Sequence, residues 1–401
     1  MVLRRAQVVI VGAGLAGLTA AWRLEQRGFR DLLLIEAGER LGGRIEAPGE
    51  AELLASKAGM AASGAAAQQN ARFDLGATWF WPSFQPELSE LVEALGLARF
   101  AQPEAGAMMV ERGQQGAPQR MQAYATDSWR LAGSMGALLD AVRARLASTR
   151  IVTGAPVRRI RLAGEQVELE TIDVQGCASV FSAAHVLLAL PPRLAATTIE
   201  FEPALPEPIA RRWRGTATWM APHAKYLAIY ERPFWREAGL SGEARSARGP
   251  LAEVHDASAP GGPAALFGFL GVPARTRSRA GDELLRQHCR AQLVRLFGEA
   301  AGAPRAEILR DWAGVSTVAT LADQDGGEPH GVAPPAAIGE GAWRDRLIGV
   351  ASEWSPQFPG YVAGAIEAAG LGVTRLAGLL AAGGQTAPRA AAPHPPEENH
   401  R

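Results

Sequence analysis

The first 36 residues combine two short apolar runs with one longer helix-like segment. AQVVIV (6–11) is an apolar run rich in β-branched residues, GAGLAG (12–17) follows it, and LTAAWRLEQRG (18–28) has the composition of a helix that stops at a glycine. DLLLIE (31–36) is a second apolar run, which ends in an acid. This pattern predicts a strand, a glycine turn, a helix and a second strand.

The glycines of this turn have separate physical tasks. Gly12 permits the tight turn, Gly14 lets the backbone approach a pyrophosphate, and Gly17 lets the helix pack closely. The helix N-terminus offers N–H groups to phosphate oxygens, and Glu36 can accept hydrogen bonds from ribose hydroxyls. The context therefore predicts a dinucleotide site rather than a glycine-rich turn without a ligand.

Further along the chain, the apolar pattern again has the period of strands. Residues 151–192 alternate apolar and polar positions, and KYLAIY (225–230) is an apolar run that begins with a lysine. The stretch 51–71 is alanine-rich and low in complexity, which predicts a surface insertion. The final residues, 384–401, are proline-rich and polar, which predicts a disordered tail.

Composition and charge narrow the class of protein. The chain has 401 residues, of which 47% are hydrophobic, and its formal net charge is zero, as expected of a globular protein with two domains. The charges are interspersed, so we expect no nucleic-acid partner and no anionic membrane partner. Cys177 and Cys289 form neither a disulfide framework nor a metal-ligand spacing, and the histidines lack paired spacing, so no metal site is predicted.

The sequence also bears on location. The charged-then-apolar order of the N-terminus is shared with signal peptides, but glycines interrupt the apolar run. No stretch reaches the roughly 18 uninterrupted apolar residues of a membrane-spanning helix. We therefore expect no membrane anchor and, by default, a cytoplasmic location.

Several separated motifs together resemble the flavin-containing amine oxidase family. In chain order they are GAGLAG (12–17), ERLGGR (39–44), FDLGATW (73–79), KYLAIYERPFW (225–235), DWAGVSTVAT (311–320) and GVASEWSPQFPGYVAGAIEAA (349–369). The resemblance covers residues 6 to 380, although DWAGVSTVAT lacks the proline that the family has there. Several motifs in the right order are more specific than any one of them.

The resemblance implies an α/β fold, a two-domain flavoprotein with a Rossmann-like FAD-binding domain and an α+β substrate domain. The FAD-binding domain is expected to be discontinuous, made of residues 1–80, 130–214 and 320–383. The substrate-binding domain is expected to contain residues 81–129 and 215–319.

The resemblance also implies which residues contact FAD. Arg44 would lie near the phosphates, the backbone of 76–79 near the flavin, Val157 at the adenine, and Glu353 at the ribityl and phosphate region. The full set of candidate FAD-binding residues is Gly12, Gly14, Ala16, Gly17, Glu36, Ala37, Gly43, Arg44, Gly76, Ala77, Thr78, Trp79, Val157, Glu353, Tyr361 and Val362.

Lys225 and Tyr361 are the candidate catalytic residues. Lys225 is one of only two lysines among the 41 lysines and arginines of the chain. The resemblance implies that it hydrogen-bonds through a water to N5 of the flavin, and the apolar residues 226–229 favour this hypothesis over a surface lysine on an edge strand. Burial would disfavour its charged form. Tyr361 stands where the family places one wall of an aromatic substrate cage, and Trp354 and Phe358 are either further cage residues or core aromatics.

Two differences from the motifs of related oxidases bear on how FAD is attached and on which substrate is expected. Around Gly326, Gly327 and Glu328 the chain lacks two residues that monoamine oxidases have there. One is the cysteine that binds flavin covalently, so FAD is expected to be non-covalent. The other is the second tyrosine of the substrate cage, so the cage is expected to be one-sided. Trp79 stands where amino-acid oxidases have an arginine that pairs with the substrate carboxylate. An amine without an α-carboxylate is therefore favoured, unless another arginine substitutes.

The expected function is oxidation of an amine to an imine by hydride transfer to flavin N5, with reoxidation by oxygen or another acceptor. Two alternatives stay open. One is a related flavin-dependent desaturase or isomerase that acts on a non-amine apolar substrate. The other is a non-catalytic, FAD-stabilised protein. The oligomeric state is not predicted.

Overall fold

The computed structural model describes residues 3–57, 71–113, 116–122, 126–324 and 331–382. Its strands are β1 (Leu3–Val11), β2 (Leu32–Ile35), β3 (Arg99–Ala101), β4 (Ala107–Glu111), β5 (Gln119–Gln122), β6 (Trp129–Leu131), β7 (Arg150–Val152), β8 (Val157–Ala163), β9 (Gln166–Ile172), β10 (Ala178–Leu188), β11 (Glu200–Glu202), β12 (Ala224–Tyr230), β13 (Leu240–Ser246), β14 (Leu251–Asp256), β15 (Ala264–Leu270), β16 (Ala306–Asp311) and β17 (Leu347–Gly349). Its α-helices are α1 (Leu15–Gln26), α2 (Glu50–Lys57), α3 (Pro86–Ala94), α4 (Ser134–Arg143), α5 (Pro192–Thr198), α6 (Glu207–Gly215), α7 (Phe234–Glu237), α8 (Ala274–Ala280), α9 (Asp282–Phe297) and α10 (Val362–Ala382).

The first sheet has the order β11-β8-β9-β10-β1-β2-β7. β1 lies between β10 and β2, parallel to both, and β2 pairs in parallel with β7. The first half of the long β10 pairs with β9, while its second half pairs with β17. The predicted strand, glycine turn, helix and second strand are therefore β1, the turn at 12–14, α1 and β2, and they form the centre of this sheet.

Two apolar layers cover the first sheet, one on each face. On one face α1, α4 and α10 pack against β1 and β2 through residues such as Leu24, Leu138 and Ile366. On the other face α5 and α6 pack against the alternate positions of the same strands, where Val9 and Trp213 are fully buried. A sheet buried on both faces is typical of doubly wound α/β domains.

Helix α10 is long and apolar enough, by length and composition, to cross a membrane. Half of its apolar window is nevertheless buried inside this fold, where Ile366, Val373 and Leu376 belong to the core. Its buried face also holds Glu367, which accepts hydrogen bonds from the Ser355 side chain and the Gln357 amide. These contacts are those of a core helix, and the cytoplasmic location stays a prediction.

The second sheet has the order β16-β12-β15-β14-β13-β4-β5, and all of its pairs are antiparallel except β13 with β4. Helix α9 covers one face through Leu285, Cys289 and Leu293. The other face meets Phe73 and Leu75, which belong to the segment that follows α2. β3 and β6 form a separate two-stranded pair, and β4 and β5 of the second sheet lie between them in the sequence.

Every strand of the first sheet falls in the segments predicted for the FAD-binding domain, and every strand of the second sheet falls in those predicted for the substrate domain. The boundaries themselves stay predictions. The predicted surface insertion begins as helix α2, in which Leu53 is buried, and its remainder, 58–70, lies outside the described residues, as does the predicted tail.

Candidate active site

The glycine turn joins β1 to α1 at the carboxyl edge of the first sheet. Gly12 has φ +102°, a backbone conformation that side chains with a Cβ rarely adopt. Glu36, at the end of β2, accepts the Ala13 amide at 2.7 Å and the Gly38 amide at 2.9 Å. The carboxylate therefore ties the turn to the second strand and lies beside the N-terminus of α1, where phosphate oxygens are favoured.

The glycines differ in what a side chain would meet. A Cβ at Gly17 would lie 2.0 Å from the Gly12 oxygen, so this position is required for close packing. A Cβ at Gly14 would meet no protein atom closer than 3.9 Å, and it would occupy the cavity instead. Gly14 thus keeps open a space that the fold itself does not need, as expected where a dinucleotide lies against the backbone.

Arg44 follows the turn at Gly42 and Gly43 and points into the molecule. Its guanidinium lies 2.5 Å from one oxygen of Glu353 and 3.0 Å from the other, and it also donates to the Ser352 hydroxyl and the Trp219 carbonyl. Glu353 is 2% exposed, whereas Arg44 still borders the cavity. A bidentate partner fixes the arginine, and its position suits an anionic group in the cavity.

The alternation of side chains along β12 decides where Lys225 points. Tyr226 and Ala228 pack on the α9 side of the second sheet, whereas Leu227 and Ile229 face the segment that contains Phe73. Because side chains alternate along a strand, Lys225 faces the same side as Leu227. β12 lies between β16 and β15, so Lys225 lies inside the sheet and is fully buried, unlike a lysine on an edge strand.

Three oxygens of the FDLGATW segment surround the Lys225 ammonium. Nζ donates to the Asp74 carbonyl at 3.0 Å, to the Gly76 carbonyl at 2.9 Å and to the Thr78 Oγ1 at 2.6 Å. Nζ also lies 4.4 Å from the ring centre of Phe267. Three hydrogen bonds use all three N–H donors of a charged lysine.

Burial perturbs the acids and bases of this network. Burial lowers the pKa of Lys225 to about 7. The Asp74 carboxylate opposes this shift, and the positive charge of Arg130 adds to it. Burial also raises the pKa of Asp74 to about 6, which Arg130 and Lys225 oppose. Perturbed values of this kind often mark functional sites.

A cavity of about 580 Å³ runs between the glycine turn and the second sheet. We call one part the nucleotide end; it is lined by Gly12, Gly14, Glu36, Ala37, Ala155, Val157 and Arg158. The other part is the aromatic end, lined by Trp79, Trp81, Trp219, His223, Phe269 and Tyr361. Gly43, Arg44 and Gly76–Thr78 lie on the wall as well, so the cavity has the size and mixed lining of a cofactor and substrate site.

Rings in contact form the wall of the aromatic end. The Tyr361 ring stacks on Trp219 at 6.0 Å and meets Trp81 edge-on at 6.2 Å. Trp219 in turn contacts His223 at 5.1 Å. The Tyr361–Trp219 spacing is that of rings packed on each other, and both residues lie on the cavity wall.

The pairing of neighbouring strands places an acidic residue, Glu253, on the wall of the same cavity. Lys225 pairs with Phe269 across β12 and β15, and Phe269 pairs with Glu253 across β15 and β14, so the three side chains form a row on one face of the sheet. Glu253 lines the cavity and pairs with Arg245 on β13. Among the described residues, the charged side chains on the cavity wall are Glu36, Arg44, Arg158 and Glu253.

A buried ion pair holds two segments of the aromatic end in place. The Asp323 carboxylate accepts hydrogen bonds from the Arg193 guanidinium at 2.8 Å, the Thr218 amide at 3.2 Å and the Thr320 amide at 2.8 Å. Thr218 precedes Trp219, and the turn before Thr320 contributes residues 316–318 to the wall. The pair is almost fully buried, so removal of either partner would leave an uncompensated charge.

Most of the predicted residues lie on the wall of this one cavity. Those on the wall are Gly12, Gly14, Ala16, Glu36, Ala37, Gly43, Arg44, Gly76, Ala77, Thr78, Trp79, Val157, Tyr361 and Val362. Three predicted residues are set behind it: Gly17 in the helix packing, Glu353 behind Arg44, and Lys225 behind Thr78. The assigned roles of all these residues, including a water between Lys225 and N5, stay predictions.

Sequence reasoning missed several wall residues. No sequence motif marks five residues that lie on the wall: Trp81, Trp219, His223, Glu253 and Phe269. Trp354 is 2% exposed and contacts Trp213, and Phe358 packs against the core of the first sheet, so both are core aromatics. For Trp81, Trp219 and Phe269, the aromatic side chain itself is the one signal that the sequence offers.

Both cysteines of the chain lie away from the cavity wall. Cys289 is buried under α9, and Cys177 is exposed at the start of β10. This arrangement supports a non-covalently held cofactor. Gly326, Gly327 and Glu328, on which the prediction of a one-sided cage depends, lie outside the described residues. Within the described ranges, no three His, Cys, Asp or Glu side chains are grouped as a metal site would require.

The glycine turn, Glu36, Arg44 and a cavity that continues to an aromatic end define the class of an α/β dinucleotide-cofactor protein. Comparison with known proteins specifies the family. Residues 116–376 match the model of the flavin containing amine oxidoreductases, and residues 10–95 match that of an NAD(P)-binding Rossmann-like domain. The chain belongs to the flavin-containing amine oxidoreductase family.

Individual relatives are more distant. The chain is 29% identical over 262 residues to a protein of Mycobacterium tuberculosis named as a flavin-containing monoamine oxidase. The aligned region covers 63% of this chain and 53% of that protein. It is 32% identical over 166 residues to a putrescine oxidase of Kocuria rosea, and this aligned region covers 37% of this chain and 34% of that protein. These matches thus span about half or less of the length of the curated relatives.

Solved structures show the same fold. A cyclohexylamine oxidase from Brevibacterium oxydans superposes with a TM-score of 0.74 at 18% identity and covers 94% of this chain and 99% of its own. Wild-type putrescine oxidase bound to putrescine gives a TM-score of 0.70 at 20% identity, with coverage of 95% and 100%.

These findings confirm the resemblance predicted from the motifs, the two-domain α/β flavoprotein fold and the flavin cofactor. The residues present fit that cofactor. Glu36 and the N-terminus of α1 would hold the nucleotide, Arg44 would hold an anionic group, and the backbone of 76–79 would face the flavin.

Proposed function

We propose that this chain is an FAD-dependent amine oxidase that converts an amine to an imine and is reoxidised by oxygen or another acceptor. The observation that carries the proposal is the single cavity, which joins a dinucleotide cradle to an aromatic end with Lys225 directly behind its wall. Bound FAD would supply the redox chemistry by accepting a hydride from the carbon next to the amine nitrogen.

The residues of the aromatic end would bind and orient the amine. Trp219 contacts the rings of both His223 and Tyr361 on this wall, and Tyr361 is partly open to solvent. A site of low polarity favours the neutral amine over the ammonium ion, and the neutral form has the nitrogen lone pair that oxidation requires. Held between this wall and the backbone of 76–79, the substrate carbon would be positioned for reaction.

The substrate proposed is an amine without an α-carboxylate. The arginines on the described wall are Arg44, bound to Glu353, and Arg158, which follows Val157 at the nucleotide end. Trp79 donates its indole N–H to Gln102, so the position at which amino-acid oxidases have an arginine supplies no cation here. A substrate carboxylate would therefore lack that bidentate partner.

Glu253 favours a substrate with a second cationic group. Its carboxylate lies on the wall beside Phe269, and its partner Arg245 is half exposed, so a substrate ammonium can replace part of that ion pair. A bound diamine would place one amine at the flavin and the other at this acid. The related putrescine oxidase, whose structure contains putrescine, makes diamines the first substrates to test.

Glu253 on the cavity wall favours an amine over the apolar substrate of a desaturase or isomerase. The experiment is to incubate the purified flavoprotein with monoamines, diamines and matched apolar compounds without nitrogen, in air and, in a parallel set, with a dye as electron acceptor. We expect aldehyde from amines only, matched by an equal amount of hydrogen peroxide in air or of reduced dye. Turnover of the nitrogen-free compounds would favour the desaturase or isomerase, and no turnover of any compound would favour the non-catalytic protein.

The Glu253→Gln variant tests the substrate class within the same assay. We expect it to reduce kcat/KM for diamines about tenfold or more and to leave monoamines of equal length nearly unchanged, since a charge-assisted contact is worth about 1.5–3 kcal/mol. An equal loss for both substrates would contradict the assigned role of Glu253.

A further inference from the structure

Lys225 has no surface on the cavity, although it lies directly behind it. Its side chain is 0% exposed, and it is absent from the cavity wall among the described residues. Any proton transfer between Lys225 and the cavity must therefore pass through the residues that bind its ammonium.

Those three partners differ in chemistry. The Asp74 and Gly76 carbonyl oxygens accept hydrogen bonds but carry no hydrogen that can be transferred. Thr78 Oγ1 accepts from Lys225 at 2.6 Å, the shortest of the three contacts, and it keeps a hydrogen of its own. Among the three groups, only the hydroxyl can accept on one side and donate on the other.

Thr78 also borders the cavity. Thr78 lies on the wall between Ala77 and Trp79. The hydrogen of Oγ1 has a long contact to the Gly76 carbonyl, at 3.3 Å, which is weaker than an ordinary hydroxyl hydrogen bond. A rotation about one side-chain bond would direct that hydrogen to a group in the cavity.

We infer that the Thr78 hydroxyl is the proton link between Lys225 and the cavity. In the transfer, an Nζ–H bond of Lys225 breaks and its proton binds Thr78 Oγ1, while the original Oγ1–H proton moves through a water in the cavity to oxygen as it is reduced to hydrogen peroxide. Lys225 becomes neutral, the threonine is restored and the proton leaves as part of the hydrogen peroxide. This assignment rests on the proposed function, since it concerns the lysine for which that function predicts a role.

The charges around Lys225 allow both protonation states. The Asp74 carboxylate attracts the ammonium, Arg130 repels it, and His255 lies on the same face of the sheet, where burial lowers its pKa to about 4. Burial brings the pKa of Lys225 to about 7. A lysine with such a pKa can give up and regain a proton near neutral pH.

The test uses the small number of lysines. With only Lys57 and Lys225 in the chain, the holoenzyme labelled with ¹³C at lysine Cε gives two signals, and Lys225→Met assigns them by removing one. The pH titration of the Lys225 signal then measures its pKa without any turnover. The variants are Thr78→Val, which keeps the shape but loses the hydroxyl, and Thr78→Ser, which keeps the hydroxyl.

We expect Thr78→Val to weaken proton binding by Lys225 about tenfold or more, because the ammonium loses one of three acceptors, and Thr78→Ser to leave it nearly unchanged. Reoxidation of the reduced flavin by oxygen should slow in Thr78→Val, but Thr78→Val added to Lys225→Met should cause no further loss. Thr78→Ala replaces the valine variant if that variant does not retain flavin.

Two results would overturn the inference. One is an unchanged pKa of Lys225 in the variants without the hydroxyl. The other is a loss of rate from Thr78→Val that persists in full when Lys225 is already methionine. Failure of the proposed function is a separate result, because it would show as a wild-type flavin that no amine reduces, while the titration of Lys225 is unaffected by that outcome.

Discussion

Arg44 and Glu353 are 309 positions apart in the chain, yet their side chains form a two-point ion pair, with the shorter contact at 2.5 Å. The pair connects the loop after β2 to the segment before α10, and it fixes the arginine at the cavity wall. A cation held in this way can bind an anionic part of the cofactor without losing side-chain entropy at that moment.

Glu353→Gln should therefore weaken both the fold and flavin binding. Removal of one charge from a buried pair costs about 3 kcal/mol, and the free energy of unfolding should fall by this order. Urea unfolding and the flavin-to-protein ratio after purification measure the two effects. The matched control is Glu207→Gln, which removes an exposed partner of Arg214 and should cost less than about 1 kcal/mol. Equal losses in the two variants would contradict the role given to the Arg44–Glu353 pair.

Two glycines of the first turn should respond differently to alanine. Gly17→Ala would place a Cβ 2.0 Å from a backbone oxygen and should destabilise the fold by about 1–3 kcal/mol. Gly14→Ala meets no close protein atom, and its φ of −72° suits alanine. We expect it to leave thermal unfolding of the flavin-free protein nearly unchanged and to weaken FAD binding at least tenfold. Normal FAD affinity in Gly14→Ala would show that the cofactor does not lie against this backbone.

Lys225→Met should separate the two halves of the catalytic cycle. The variant should bind FAD and allow its reduction by an amine, while reoxidation by oxygen slows about a hundredfold, the usual size of a general acid–base contribution. Stopped-flow absorbance measures each half-reaction by itself. Lys57→Met, at the only other lysine, is the control and should keep both rates. Unchanged reoxidation in Lys225→Met would remove the role assigned to this residue.

The buried lysine should also make stability depend on pH. Its pKa is about 7 in the folded protein and near 10.4 when the chain is unfolded, so between these values the unfolded chain binds more protons. Stability attributable to Lys225 must then rise with pH across this window, by up to about 1.4 kcal/mol per pH unit, and be lowest below pH 7. Asp74, with a pKa of about 6, is ionised throughout the window.

Urea unfolding of the wild type and of Lys225→Met at pH 7, 8 and 9 checks this dependence, because groups that do not interact with the lysine cancel in the difference. The wild type should gain stability relative to the variant at each step. A difference that stays constant with pH would mean that Lys225 keeps its ordinary pKa in the fold.

Local sequence signals predicted the cofactor half of the site. The turn at Gly12–Gly17 and the acid at Glu36 lie within 25 residues, so the strand, turn and helix pattern was sufficient to place them. The apolar residues after Lys225 likewise indicated a buried strand. These features depend on short-range periodicity and on the stereochemistry of glycine.

The remaining parts of the site depend on contacts between distant segments. Glu253 reaches the cavity only through the register of β14, β15 and β12, which no local pattern specifies. Trp219 becomes a wall residue because its turn packs beside Gly360. The contact between Lys225 and Thr78 joins residues 147 positions apart, so the sequence could indicate a functional lysine without indicating its partners.

The most direct test of the central claim is the visible absorption of the purified protein without oxygen, before and after addition of monoamines and diamines. Amine oxidation at this site predicts a flavin spectrum that bleaches on addition of an amine and returns when oxygen is admitted. A flavin spectrum that no amine bleaches would contradict the proposed activity, and the absence of a flavin spectrum would contradict the cofactor site built on Gly14, Glu36 and Arg44.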